Sequence, residues 1–392
     1  MRISDLFITI SKALDMGDIE ILDHSRRVAY ISLELAKRLN LANKKINEVV
    51  LTALISDIGI MSTEDKVKAQ NVFNLDEGVT ESHSKDGYEL TKNLKILPNI
   101  PEIILHHHHK WSGNNFDGVK GEDIPLASRI IFLADRIEAL IEEDKYILFQ
   151  VNDIITAIES QSDSWFDPNI VDAFLELANK EFFWLILSTG EYSSILELWG
   201  EGTEMKIDLD DLESVASIVA KLIDRISPFT SRHSTGVATI AAMLTHELAF
   251  NQLEQRAMRI AGLFHDLGKL IIPKEIIEKK GELNDEEYKI IQQHSFYSFR
   301  LLNKINGLGD IPEWAALHHE RLDGNGYPFH YDKNTLNTGS KIMAVSDVFQ
   351  ALTEDRPYRK AFSIAQAIEI IDDMKFKLKF DKDIVNALKD SI

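Results

Sequence analysis

Seven side chains in the second half of the sequence have the donor chemistry of a metal centre: His233, His265, Asp266, His294, His318, His319 and Asp347. Imidazole and carboxylate suit iron, manganese, zinc and similar divalent ions. A single core histidine is more often a satisfied hydrogen-bonding residue, and His246 and His330 are read that way. The seven differ because their spacing turns them toward one another.

The elements that position them read as helices. Apolar residues recur every three or four positions in Val28–Leu39, Val237–Leu248, Ala257–Phe264 and Ile342–Leu352. His233 lies on the face of Val237, Ile240, Ala241 and Leu244. His265 continues the stripe Ala257, Ile260, Ala261 and Phe264, and Asp347 sits among Ile342, Met343, Val345 and Val348. All three therefore point inward. Burying several histidines and two aspartates together without a metal would be costly. Alternating β patterns are scarce and Gly and Pro cluster between the periodic runs, so an all-α fold is expected.

The helical pattern occurs twice. Asp23-His24-Ser25 parallels Arg232-His233-Ser234, and Ser56-Asp57-Ile58-Gly59 parallels His265-Asp266-Leu267-Gly268. His83 parallels His294, His107-His108 parallels His318-His319, and Asp135 parallels Asp347. The offset stays between 209 and 214 along the whole length. The chain thus reads as a tandem duplication, with domains at 1–204 and 205–392 and a joint in the acidic, Gly-containing stretch Gly200–Asp211. Asp172–Leu198 reads as an aromatic-rich helical segment. It either packs the halves together or completes the first core.

Composition narrows the function. The chain has 392 residues, enough for two or three domains at roughly 100–200 residues each. It has no cysteine, which excludes disulfides, a zinc ribbon, a thiol nucleophile and an iron–sulfur cluster. A net charge of −20 argues against nucleic-acid polymers and anionic membranes as partners. A small anionic substrate stays open if metal ions supply positive charge. No secretory signal, membrane-spanning run, receiver or sensor segment is recognised, so a cytoplasmic protein is expected.

The order of these residues resembles the HD-GYP family, a branch of the HD phosphohydrolase superfamily. The resemblance rests on His265-Asp266-Leu267-Gly268-Lys269, on the run from His318 to Pro328 (HHERLDGNGYP), and on Asp347 followed by Asp355-Arg356-Pro357-Tyr358-Arg359. It spans Asp211 to about Ile392. It implies a helical HD domain that hydrolyses cyclic dinucleotides, cyclic di-GMP first, to the linear dinucleotide or mononucleotides. Cyclic GMP-AMP, another nucleotide, or binding without catalysis are the alternatives. It further implies two divalent ions, iron or manganese first, which lower the pKa of a bound water toward ~7. One would be held by His233, His265, Asp266 and Asp347. The other would be held by Asp266, His294, His318 and His319, with Asp266 bridging. Family members with a third metal have a Glu where this chain has Phe229. Lys269 joins Asp266 in catalysis and contacts a phosphate. Arg356 and Arg359 grip the second phosphate, or Arg359 forms a surface salt bridge. Tyr327 packs a base or anchors its loop. A homodimer or a signalling-protein partner fits the family.

The first half departs from this pattern. Ser56 replaces the HD histidine, Ile60 stands at the lysine position, the GYP tripeptide is gone, and Asp144 and Ile147 stand for the arginines. Asp57, His83, His107 and His108 still form the second-metal set. No catalysis is expected there; the half is regulatory or structural. The run His106–His109 also resembles a metal tract.

Overall fold

The computed structural model describes residues 1–16, 23–60, 77–203, 205–226, 232–279, 281–355, 359–377 and 379–392. Every regular element among these residues is helical, apart from isolated β-bridges. The chain divides into two compact units: Arg2–Lys206, and Ile207–Ile392 together with Met1.

The N-terminal unit contains α1 (Ile3–Met16), α2 (His24–Arg38), α3 (Asn43–Ala53), α4 (Glu77–Thr91), α5 (Ile100–Leu105), α6 (Leu126–Ala139), α7 (Ile147–Glu159), α8 (Pro168–Ala178), α9 (Glu181–Thr189) and α10 (Tyr192–Glu201). The C-terminal unit contains α11 (Leu209–Ile226), α12 (His233–Glu247), α13 (Gln252–Phe264), α14 (Lys274–Ile277), α15 (Asp285–Leu302), α16 (Ile311–Ala316), α17 (Thr338–Thr353), α18 (Ile364–Phe376) and α19 (Lys382–Ser391). The expected amphipathic helices correspond to α2, α12, α13 and α17. α12 buries His233, Val237, Ala241 and Leu244, as read from spacing, together with Ala238, while Ile240 is only half-buried. Capping boxes start α13 (Asn251 with Glu254) and α15 (Asn284 with Glu287), so their first backbone N–H groups are satisfied.

The aromatic segment Asp172–Leu198 is not one helix. α8 ends at Ala178, and Gly190, at φ 79°, closes α9 before α10 begins. A left-handed residue suits glycine, which has no Cβ to clash. Phe174, Phe183 and Trp184 are buried in the N-terminal unit, with Phe183 stacked on Tyr30 at 5.9 Å. Fully burying each such ring contributes about 1.5–3 kcal/mol, so the segment completes the first unit's core. The joint is also shorter than the sequence implies, since α10 runs to Glu201 and α11 starts at Leu209.

Candidate metal centre

The donors of the C-terminal unit come from five places. His233 opens α12, His265 and Asp266 follow α13, His294 sits in α15, His318 and His319 follow α16, and Asp347 lies in α17. Gly268 lets the turn after Asp266 press against α15. A Cβ there would stand 2.0 Å from the His294 carbonyl oxygen. Ser298 stitches the contact, donating to the His265 carbonyl at 2.9 Å and accepting from Gly268 N at 2.9 Å.

The side chains converge. Asp266 Oδ2 is 3.1 Å from His265 Nε2, while its Oδ1 is 3.5 Å from His294 Nε2 and 3.9 Å from His318 Nε2. Asp347 Oδ1 is 3.1 Å from His233 Nε2 and 4.0 Å from His265 Nε2, and its Oδ2 is 3.9 Å from His319 Nδ1. The ligating atoms of His233, His265 and Asp347 lie within 4.8 Å of one another, as do those of His265, Asp266 and His318 and those of His294, His318 and His319.

The proton inventory fits metal ions at this place. His265, His294 and His318 donate from Nδ1 to the carbonyls of Gly262, Ile291 and Ala315 at 2.8, 2.6 and 2.7 Å. A carbonyl only accepts, so in the neutral ring Nε2 carries a lone pair. His294 and His318 nonetheless bring their Nε2 atoms to 3.2 Å, and the buried Nε2 of His265 makes no hydrogen bond. Lone pairs gathered around carboxylates call for a cation.

Burial, with repulsion from neighbouring histidines, pushes His294 down to about 3 and holds His318 well below the ordinary range. Burial likewise takes His319 down to about 4. These rings stay neutral and able to ligate. Burial also opposes charge on His233, but hydrogen bonds to Asp347 and Glu354 outweigh it and lift the ring to about 9. Burial would raise Asp266, yet His265 and Lys269 hold its carboxyl well below the usual range.

Lys269 sits 2.6 Å from Asp266 Oδ2, so its ammonium borders the donor set. Tyr327 lies against His319, with ring centroids 4.7 Å apart, and so anchors the loop over the histidines. Gly326 is required by close approach, because a Cβ would stand 2.5 Å from Arg321 N. Arg359, expected to grip a phosphate, lies against backbone at the end of α17. It donates to the carbonyls of Ala351 and Leu352 at 2.7 and 3.1 Å, closing the end of α17, and stacks on Phe362. Its donors are turned to backbone acceptors left over at a helix C-terminus. Arg356 and Phe229 lie outside the described residues.

The N-terminal unit repeats half of this geometry. Asp57 Oδ1 is 3.7 Å from His83 Nε2 and 3.6 Å from His107 Nε2, and His83 Nε2 is 3.3 Å from His107 Nε2 and 3.0 Å from His108 Nε2. The ligating atoms of Asp57, His83, His107 and His108 lie within 4.8 Å of one another. At the other half, Ser56 donates to the Ala53 carbonyl at 3.2 Å, and Ile60 offers no charge. The fully buried Arg136 binds Asp135 through Nε, at 3.0 Å, and Nη2.

Several functional contacts were missed by sequence reasoning. Glu354 receives His233 Nδ1 at 3.1 Å, and Glu138 receives His24 Nδ1 at 2.6 Å. Glu138 lies buried in α6, three residues past Asp135, a spacing that could have found it, whereas Glu354 caps the C-terminal end of α17, seven residues past Asp347. Glu320 accepts from Phe329 N at 2.7 Å and Tyr331 N at 3.0 Å and so holds the GYP loop. Ser25 on Asp15 and Ser234 on Asp224, each at 2.8 Å, are a further repeated pair.

An HD domain family matches residues 9–170 and 217–384. The chain is 33% identical over 383 residues to 3'3'-cGAMP-specific phosphodiesterase 1 of Vibrio cholerae, covering 95% of this chain and 87% of that protein. A cyclic di-GMP phosphodiesterase of Thermotoga maritima is 32% identical over 182 residues, covering 45% of this chain and 49% of that protein. The fold is similar to a solved cyclic GMP-AMP specific phosphodiesterase of Vibrio cholerae. The TM-score is 0.66 at 23% identity, over 100% of this chain and 97% of that one.

Proposed function

The chain belongs to the HD domain family, in two tandem copies, and from that premise we propose that it is a metal-dependent phosphodiesterase of cyclic dinucleotides with its working centre in the C-terminal domain (205–392). The observation that carries the reading is the convergence of seven donors, five histidines and two aspartates, with Nδ1 of His265, His294 and His318 turned to backbone carbonyls. His233, His265, Asp266 and Asp347 would hold one divalent ion and Asp266, His294, His318 and His319 a second. Such a pair polarises a phosphoryl oxygen and acidifies water.

The chain's own residues do the rest. Asp266 presents one oxygen to each donor group and so joins the two sets. Lys269 places an ammonium beside Asp266, where an incoming phosphodiester adds negative charge. Glu354 orients His233 through Nδ1, leaving Nε2 toward Asp347. Tyr327 covers the face of His319 and fixes one wall of the site.

The resemblance to HD-GYP proteins put cyclic di-GMP first. Relatives matched along nearly the whole chain are named for 3'3'-cGAMP, whereas a cyclic di-GMP relative matches less than half of it, so 3'3'-cGAMP is the substrate proposed here. The N-terminal domain (1–204) is assigned a regulatory or structural role, because Ser56, Ile60 and Arg136 replace a ligand, a cation and an apolar neighbour.

The test is hydrolysis by full-length protein reconstituted anaerobically with Fe(II) or Mn(II), with products separated by chromatography. Linear dinucleotide should appear, with a kcat/KM for 3'3'-cGAMP at least about tenfold above that for cyclic di-GMP, a margin near 1.4 kcal/mol. Equal or reversed rates would remove the substrate proposal alone. Tight binding without any product would replace the enzyme by a nucleotide-binding scaffold.

A further inference from the structure

We propose that the N-terminal unit carries a separate divalent-metal site, built from His106, His109 and Asp117, that staples the loop following the histidine run. These are the two histidines of the run that the centre around Asp57 does not use. The proposal is independent of the catalytic reading.

The geometry is specific. A turn bonds His109 N to the His106 carbonyl at 3.0 Å and brings the two rings edge-on, with centroids 4.7 Å apart. His106 Nε2 faces Asp117 Oδ2 at 3.1 Å, and His109 Nε2 faces Asp117 Oδ1 at 2.9 Å. The three ligating atoms lie within 4.8 Å of one another. Ligands about 2.1 Å from a shared zinc-like ion, and at roughly right angles to tetrahedral angles, stand roughly 3.0–3.4 Å apart.

Donor accounting points the same way. His106 Nδ1 donates to the Glu102 carbonyl at 2.7 Å. In the neutral ring its Nε2 then holds a lone pair, which faces a carboxylate oxygen. Two acceptors at that distance need a positive centre between them, either a metal ion or a second ring proton, and the convergence of His109 on the same carboxylate fits the metal ion. A ligating histidine that spends its other N–H on a backbone carbonyl is the usual arrangement at a metal.

The surroundings suit a closed side and an open side. His106 and His109 are buried, while the Asp117 side chain is 26% exposed. A pocket of about 120 Å³ lined by Glu81, Ser84, His109 and Phe116 lies beside them and can admit water as a further ligand. The loop is built before any ion arrives. Asn115 accepts from Lys110 N at 2.9 Å and donates to the Val119 carbonyl at 2.6 Å, and Asp117 Oδ1 accepts from Val119 N at 3.0 Å.

The C-terminal unit has Leu317, Glu320 and Pro328 at the matching positions. There Glu320 secures the loop through two backbone N–H groups. The N-terminal unit has His109 in its place and lacks that carboxylate. Two imidazoles and one carboxylate suit a borderline ion of the zinc class, with water completing the shell.

The experiment uses the full chain, stripped with chelator and titrated with Zn(II) or, for spectroscopy, Co(II). Asp117→Asn, and separately His106→Leu with His109→Glu, should bind one fewer zinc per chain than the unsubstituted protein. The Co(II) spectrum should lose a ligand-field band in the visible, and the loop around residues 113–121 should be cut faster by protease. The deficit should persist in an Asp57→Asn background, which separates this site from its neighbour. Unchanged zinc equivalents with an unchanged Co(II) spectrum would overturn the proposal, and would mean that a proton, not a metal, joins His106 to Asp117. Circular dichroism checks folding. If the histidine pair variant loses helix, the isosteric exchange at the exposed Asp117 decides alone.

Discussion

Asp347 and Asp135 occupy matching places in the two units, and each faces the first histidine of its set. Asp347 is 3.1 Å from His233 and is followed by Val348. Asp135 is 3.2 Å from His24 and is followed by Arg136, whose guanidinium grips it. Both units bury carboxylates among imidazoles, and each needs positive charge to do so. The C-terminal unit has Lys269 beside its donors, and its His/Asp clusters have the make-up of metal sites that would supply the rest. The N-terminal unit has fixed a cation in the chain at one of its two positions, and has lost the histidine that would have completed a metal site there. The second set, around Asp57, keeps its geometry. A duplicated enzyme domain can therefore lose one ion site while keeping the electrostatic balance that holds its core.

The comparison is broken most directly at the bridging aspartates. Asp266→Asn should lower turnover of the metal-loaded protein on the order of 10³-fold, because it removes the one ligand shared by both ion sites. Asp57→Asn should leave turnover within about threefold. Steady-state assays of the two variants side by side decide it. An equal fall in both would make the N-terminal unit a second working centre.

Arg136 offers the next largest effect. Replacing it by Met strips the partner from a buried carboxylate, which typically costs about 3–5 kcal/mol. Four of the five tryptophans, Trp111, Trp165, Trp184 and Trp199, lie in the N-terminal unit, so urea unfolding followed by their fluorescence reads that unit. Adding Ser56→His to Arg136→Met should recover part of the loss when metal is present, with one more bound equivalent per chain. No gain in bound metal would show that other differences closed the site.

The helices and the donor set were legible in the sequence because both follow from period. His233 lies one turn before Val237, and the stripe leading to Phe264 carries His265 inward. What was illegible depends on contacts across elements. Glu354 and Glu320 are ordinary acids by composition. Only the fold brings one to His233 Nδ1 and the other to two backbone N–H groups of the loop. The backbone contacts of Arg359 were illegible for the same reason, since only the fold brings its guanidinium to the carbonyls at the end of α17. The break in the aromatic segment was signalled by Gly190, but the apolar density on both sides masked it.

The acids behind the first histidines sharpen the comparison further. Glu354→Gln keeps size but weakens the acceptor for His233 Nδ1, so affinity for the ion held by His233 should fall about 10–100-fold. Chelator-competition titration of the full chain measures it. Glu138→Gln should leave bound metal unchanged, since His24 faces a site already provided with Arg136. A fall with Glu138→Gln would mean that His24 still ligates.

The metal-free protein should also show a pH dependence of its stability. His294, His319 and His83 are pushed down to about 3, about 4 and about 4, against roughly 6.5 in an unfolded chain. Between those values the unfolded chain binds protons that the folded one refuses. Stability from these groups is therefore complete above about pH 6.5 and falls as pH drops toward 4, by up to roughly 1 kcal/mol per pH unit for each histidine. His233, lifted to about 9, acts in the opposite sense. Its contribution is complete below about 6.5 and is lost as pH rises through 9. The thermal midpoint of chelator-treated protein should peak near pH 6.5 to 7 and decline on both sides, more steeply toward acid. Removing the bridging carboxylate leaves the acid limb in place, because burial is the largest cause of the depressed values. Asp266→Asn should remove part of the alkaline limb, because Asp266 is one of the charges that hold the proton on His233. A midpoint flat from pH 6.5 to 4.5 would mean that these histidines are less dry than their packing implies.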